Sequence, residues 1–353
     1  MSHPFHEPFD HGTGPQGKVL HLPLSAADPH TTAREAASVP SPDELVPWPW
    51  DAINRIAGPL APGSLTIVSA RTGSGKTLFI RNWLHWLASL NGPSVAYFPT
   101  ETPVREVLRG ITCAELGVNP VDVTRGDFSR VEGGADGFFE ATQRIGKQLL
   151  TRRSDLTGAP LMLFQSARPS LPLIRHTLTK AKADGCAVAC IDHILRLDIG
   201  DGTQLFAEVT NAVRSLKQLA EELQMAVVIT SQQGRQAFAG NRLAAFAPPD
   251  LSALKGSGAL EEEADLVLFL HRLLRDDLSK EQITDVTAGR IPLQEAVAPN
   301  VMGVAVGKHR LDGGKTGAQE RLWVEHGRVS DLPTAERLDW EAKREGIRTG
   351  GRL

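Results

Sequence analysis

The sequence predicts an α/β fold: a mostly parallel, twisted sheet flanked by helices and built around a phosphate-binding loop. Three observations predict it. Short β-branched runs alternate with helical stretches from Trp48 to about Val324, the pattern of parallel strands covered on both faces. The run Ala70-Arg71-Thr72-Gly73-Ser74-Gly75-Lys76-Thr77 follows one such strand and opens a helix, where a glycine-rich turn can wrap a phosphate. A second apolar strand, Ala187–Ile191, ends on Asp192, which sets a carboxylate at the same edge of the sheet.

The strands expected are Leu65–Val68, Val95–Phe98, Ala187–Ile191, Val227–Thr230, Val267–Leu270 and Val304–Val306, with helices between them. The clearest helix carries Val209, Val213, Leu216, Leu219 and Leu223 on one face. Its other face, with Arg214, Lys217, Glu221 and Glu222, reads as simply solvated. Residues 1–44, rich in His, Pro, Ala, Ser and Thr, offer too little apolar surface to offset their ordering entropy and read as disordered. Residues 45–330 form the nucleotide-binding domain and 331–353 a loose C-terminal tail. The stretch Leu273–Asn300 reads as a surface insertion.

Composition excludes several classes. With 353 residues, 41% of them hydrophobic, the chain can bury a full core. It lacks a run of about 18 apolar residues and a charged-then-apolar leader, so a cytoplasmic protein without a membrane partner is expected. Cys113, Cys186 and Cys190 form no disulfide framework and no CxxC pair. Cys186 and Cys190, in or beside a strand, read as small buried groups. A net charge of −3 means that any nucleic-acid contact comes from a local patch.

The loop residues carry specific chemistry. Backbone N–H groups around Gly73 and Gly75 and the start of the following helix favour an anion. Lys76 is placed to reach β- and γ-phosphates, and the Thr77 hydroxyl to hold Mg²⁺. Ala70 stands where such loops usually begin with glycine, a difference of one methyl. Asp192 is expected to bind Mg²⁺ through water. Glu101, just past the strand Val95–Phe98, is the candidate base that orients water. Gln232, after Val227–Thr230, is the candidate γ-phosphate contact; the adjacent Gln233 leaves the register open by one residue.

Together these segments resemble the RecA-type ATPase domain of DnaB-like hexameric replicative helicases. The block from Phe98 through Glu101 to Cys113 resembles that family's strand-Glu-helix unit. Ile191-Asp-His-Ile-Leu-Arg-Leu197 is similar to its second Walker motif, with His193 in place of an aromatic. Thr210–Leu223 resembles the next helix. Asp250-Leu-Ser-Ala-Leu-Lys-Gly-Ser-Gly-Ala-Leu-Glu-Glu-Glu-Ala-Asp265 matches a characteristic stretch, and Gly307-Lys-His-Arg310 carries the family's lysine and arginine two apart. The resemblance spans roughly Trp48–Glu325, in unbroken order, and Leu273–Asn300 is longer than the family's connection there.

The resemblance implies a homo-hexamer with ATP and Mg²⁺ at each interface. Lys76, Thr77, Asp192, Glu101 and Gln232 would act within one subunit. Lys308 and Arg310 would reach into a neighbour's site. It implies single-stranded DNA threaded through the ring, held by Lys255, Gly256 and Gly258, with Arg235 a weaker candidate. The position of Gly256 is usually acidic in the family. Full-length relatives also carry an N-terminal helical domain and a linker helix, for which this chain offers only its first 44 residues. Assembly through the ATPase faces alone, or a partner such as a loader or primase, is therefore expected. The alternative is a RecA-fold ATPase that acts in recombination or remodelling without unwinding. A third is a nucleotide-binding regulatory module with little turnover.

Overall fold

The computed structural model describes residues 40–89, 94–151, 160–200, 204–233, 243, 246–254 and 258–337. The expected disordered segment before residue 40, the candidate DNA contacts Arg235, Lys255 and Gly256, and the tail beyond 337 lie outside the described residues.

The elements run in the order α1 (Asp51–Ala57), β1 (Leu65–Ala70), α2 (Lys76–Ser89), β2 (Ser94–Pro99), α3 (Val104–Leu116), α4 (Pro120–Thr124), α5 (Gly134–Leu150) and β3 (Leu161–Leu163). Then follow α6 (Leu171–Ala183), β4 (Cys186–Asp192), α7 (Leu205–Leu223), β5 (Ala226–Gln232), α8 (Gly258–Glu263) and β6 (Leu266–Leu274). The domain closes with α9 (Lys280–Ala288), α10 (Leu293–Ala296), β7 (Val297–His309), β8 (Gln319–Glu325) and β9 (Arg328–Asp331). The strands form a single nine-stranded sheet in the order β3-β2-β4-β5-β1-β6-β7-β8-β9.

Pairings from β3 through β6 are parallel. Those from β6 to β9 are antiparallel. The six expected strands are all present. The last is far longer than Val304–Val306 because it pairs antiparallel with β6 over most of its length. The short edge strand β3 and the hairpin β8–β9 were not expected. β3 has three residues, too few to show a period.

Each face of the sheet buries its own core. On one side Val68 and Ala70 of β1 meet Phe79, Ile80, Trp83 and Leu84 of α2. On the other Leu65 and Ile67 meet Ile174 and Leu178 of α6 and Val209, Val213 and Leu216 of α7. Strand β1 is buried along its whole length, which makes it the axis of both layers. The entry to the domain is fixed by tryptophans. Trp48 packs with tilted rings against Phe79 and Trp83, and Trp50 likewise against Phe79. The Trp50 indole donates to the Val329 carbonyl (2.8 Å). The first amides of α1 find no cap of their own in sequence. Asp51 N and Ala52 N donate instead to the Asp331 carboxylate of β9 (2.9 and 2.8 Å).

Two expectations are corrected. The polar face of α7 is not simply solvated. Lys217 is nearly buried and its Nζ bonds Asp265 (2.8 Å) and the Gly63 carbonyl (3.0 Å), while Arg214 pairs with Glu263 (3.0 Å). Arg175 of α6 pairs with Glu222. A lone helix could not reveal these partners, which lie on other elements. The stretch Leu273–Asn300 is not wholly a surface loop. Leu273 and Leu274 extend β6, two helices follow, and Val297 already begins β7. Val286 and Ala296 from this stretch make a small core with Phe246.

Candidate functional site

Strand β1 delivers the chain to the middle of the sheet, between β5 and β6, where Ala70 pairs with Gln232 and Leu270. Parallel strands on both sides end together here, so their carboxyl ends converge on the turn that follows. Ala70 is still strand and its methyl belongs to the core beneath, so glycine is not needed at that position. Gly73 (φ 78°) and Gly75 (φ 89°) take left-handed backbone. At Gly75 space is also decisive: a Cβ would sit 2.4 Å from the Met302 methyl of β7. Helix α2 then starts at Lys76.

Lys76 is 9% exposed. Its Nζ has no hydrogen-bond partner among the described residues. The nearest acid is Asp192, with Oδ1 at 3.7 Å. An ammonium withdrawn from water and left unbonded is costly, and a bound anion would offset that cost. The turn and this cation therefore fit a nucleotide phosphate.

Asp192 ends β4 and is 1% exposed. Thr230 of β5 donates to its Oδ1 (2.5 Å) and Tyr97 of β2 to its Oδ2 (3.2 Å). Burial, then the neighbouring Asp192 charge, pushes the Tyr97 hydroxyl well above its usual range, so it stays a donor. The carboxylate is thus oriented by two neighbouring strands beside a cation, an arrangement suited to holding Mg²⁺ through water.

Thr100 ties the ends of β2 and β4. Its N and Oγ1 donate to the Asp192 carbonyl (2.9 and 2.7 Å), and its Oγ1 accepts from His193 N (2.9 Å). Glu101 therefore follows directly at this edge, 40% of its side chain exposed. Its carboxylate lies 3.7 Å from His193 Nε2 and 3.8 Å from Arg196 Nη2. Burial first, and the Lys76 charge second, hold His193 below the usual histidine range, so it is neutral at neutral pH. Glu101 then faces one fixed cation and water.

Alternation along β5 separates the two glutamines. Side chains two apart share a face, and Thr230 bonds Asp192, so Gln232 lies on the face of Lys76 and Asp192. Gln233 turns back on β1, its N donating to the Ala70 carbonyl (3.1 Å) and its Nε2 to the Ser69 carbonyl (3.4 Å). Arg272, at the end of β6, donates from Nε (3.1 Å) and Nη2 (2.6 Å) to the Gly73 carbonyl and so braces the turn. Sequence reasoning missed Arg272. The only signal was its place just past an apolar strand.

Lys308 and Arg310 are not at this site. They close β7, where His309 pairs with Leu266 at the start of β6, the opposite end from Leu270. The five steps of about 3.3 Å from Leu65 to Ala70 along β1 put roughly 17 Å between that end and the loop. Lys308 Nζ donates to the Glu261 and Glu262 carbonyls (2.5 and 2.9 Å). Arg310 donates to the Glu262 carbonyl (2.6 Å) and to Asp265 (2.9 Å). Both therefore grip the carboxyl end of α8, whose first residue is Gly258.

A family model described as the DnaB-like helicase C terminal domain matches residues 46–327. The chain belongs to this family. Among curated relatives it is 27% identical over 231 residues to the replicative DNA helicase DnaC of Bacillus subtilis, covering 64% of this chain and 47% of that protein. It is 28% identical over 243 residues to the replicative DNA helicase DnaB of Pasteurella multocida, covering 67% and 47%. The chain thus spans about half the length of the curated relatives it matches. Among solved structures, one described as a DnaB-like replicative helicase and its interactions with primase superposes with TM-score 0.65 at 20% identity, over 88% of this chain and 68% of that one. The ATPase domain of G40P gives 0.62 at 21% identity, over 82% and 91%. These likenesses show a shared α/β fold, and the family model places the chain with the C-terminal domain of DnaB-like helicases.

Proposed function

We propose that residues 45–330 are the motor domain of a hexameric replicative DNA helicase, which hydrolyses ATP with Mg²⁺ to move along single-stranded DNA. The observation that carries this reading is the buried, unbonded Lys76 ammonium beside Asp192 at the carboxyl ends of parallel strands. The replicative helicases among its relatives support it.

The loop Ala70–Thr77 wraps the phosphates through its amides. Lys76 neutralises the β- and γ-phosphates, and Thr77 and Asp192 hold the metal. Mg²⁺, when bound, offsets charge on the phosphate oxygens. Glu101 accepts the proton of the attacking water, and Gln232, on the same face, contacts the γ-phosphate. Lys308 and Arg310, which lie away from their own loop, serve the neighbouring subunit, so six copies complete six sites. The chain acts in the cytoplasm; among the described residues, no helix is long and apolar enough to cross a membrane. A loader or a primase is the expected partner.

Gly258 opens α8, the helix whose far end Lys308 and Arg310 hold. Together with Arg235, Lys255 and Gly256 it faces the DNA phosphates, which it grips without reading sequence. Lys255→Ala is expected to weaken single-strand binding and flatten its salt dependence while ATP turnover without DNA persists.

Strand displacement on forked DNA tests the whole reading. Wild type should separate the fork with ATP and Lys76→Ala should not. ATP turnover without displacement would instead assign a remodelling ATPase of the recombination type.

A further inference from the structure

The turn that leaves β4 presents to Glu101 a side chain that the phosphate site does not use. Asp192 is followed by His193 and by the short 3₁₀ turn Ile194–Arg196. Ile194 and Leu197 are buried in the core shared with α6 and α7, so the turn is anchored at both ends. His193 is 5% exposed and pinned at two points. Its backbone N donates to the Oγ1 of Thr100 (2.9 Å), the residue directly before Glu101. Its Nδ1 accepts from Leu195 N (3.2 Å) and so caps the turn.

That cap fixes the tautomer. A ring nitrogen that accepts an amide proton carries none of its own, so the neutral imidazole holds its proton on Nε2. Nε2 lies 3.7 Å from Glu101 Oε2. The ring therefore offers the carboxylate a donor, and with Nδ1 occupied it cannot relay a proton away. The gap exceeds a direct hydrogen bond, and a small rotation of the exposed Glu101 side chain closes it. Arg196 stands on the other side, its Nη2 3.8 Å from Oε1. Its side chain is 54% exposed, so solvent screens its charge, and a long side chain must be ordered before it can act. The buried, twice-pinned imidazole needs no such ordering.

We propose that His193 is a positioning residue for Glu101: its Nε2–H holds one carboxylate oxygen and so aims the other at the attacking water. This rests on the reading of Glu101 as the base. No proton joins or leaves the imidazole; the proton of the water goes to Glu101. A base that is held in line with the proton it takes loses less to disorder in the transition state than one free to turn.

Asparagine and glutamine divide the two ring nitrogens between them. The Asn side-chain oxygen falls near the place of Nδ1, and the Gln side-chain nitrogen near that of Nε2. His193→Asn thus keeps the cap and loses the donor, while His193→Gln keeps the donor and loses the cap. ATP turnover of the full chain with Mg²⁺ and single-stranded DNA separates kcat from KM. His193→Asn should lower kcat by about tenfold or more and leave KM for ATP within about twofold. His193→Gln should keep kcat within about threefold of wild type. On the Glu101→Gln background, His193→Asn should cost no further activity, because it acts through the carboxylate already lost.

Wild-type kcat in His193→Asn overturns the proposal. So does an equal loss of kcat in both variants, or a further loss on the Glu101→Gln background, since either marks a role independent of the carboxylate. Should His193→Asn fail to bind ATP through misfolding, His193→Gln decides alone, and a loss of about tenfold in its kcat overturns the proposal. Undiminished turnover in Glu101→Gln overturns the reading of Glu101 and the proposal with it. That result needs no change at His193, so the two failures are distinct.

Discussion

Lys76 sits where a single side chain decides between binding and none. Lys76→Ala removes a buried ammonium that makes no hydrogen bond, but it also takes a cation from beside the buried Asp192 carboxylate, which keeps its bonds from Thr230 and Tyr97. The two effects oppose, so the melting temperature is expected to shift little while ATP binding is abolished, read by thermal melting with and without Mg-ATP. Glu101→Gln should retain nucleotide binding and lower turnover by about a hundredfold or more, the usual scale for a lost general base. His271 makes a different prediction. It is 4% exposed, and its ring packs so closely on Gly303 that a Cβ there would lie 2.5 Å away. Burial lowers it from 6.5 to about 4. A folded value below the unfolded one favours folding above the unfolded value and loses that contribution as pH falls toward the folded one. Between pH 7 and pH 5 the loss is on the order of 2 kcal/mol. His271→Phe should therefore melt with a weaker acid dependence than wild type; an identical dependence would remove His271 as its source.

Single elements show what periodicity carries and what it cannot. The apolar stripe of α7 was legible because its spacing records a buried face, and the loop because its glycines and lysine obey local backbone rules. Arg272, Thr230 and Thr100 were not legible, because each acts on a residue far away in sequence. Lys217 shows the same gap: its partner Asp265 lies on the connection into β6 and also accepts from Leu65 N (2.8 Å) and Arg310. Asp265→Ala leaves the Leu65 amide without its acceptor and takes one carboxylate from the nearly buried Lys217, which keeps the Gly63 carbonyl and Glu221. A loss of about 3 kcal/mol is expected in denaturant unfolding, the usual scale when one partner of a buried pair is removed. Asp331→Ala, which uncaps α1 from the far end of the domain, should cost about 1 kcal/mol.

Across the whole molecule the sheet changes character at β6. Strands joined by helical crossovers run parallel and gather their ends at one edge, which explains why the loop, Asp192, Glu101 and Gln232 could be grouped from sequence order alone. The antiparallel β7 returns the chain to the other edge and leaves Lys308 and Arg310 there. Mixing two inactive variants tests this at the level of assembly. Lys76→Ala keeps the arginine, and Arg310→Ala keeps the loop. Their mixture should hydrolyse ATP where neither alone does, and a mixture as inactive as its parts would place Arg310 outside the reaction.

The length of β1 thus has a kinetic consequence. On the proposed reading, a polypeptide whose phosphate cradle follows β1 at one edge of the sheet, and whose Arg310 follows β7 at the other, cannot catalyse in isolation. Turnover per chain should fall as the solution is diluted below the dissociation constant of the assembly and recover on concentration. Dilution alone would act as a reversible inhibitor, and the enzyme would work only where its own copies are crowded together.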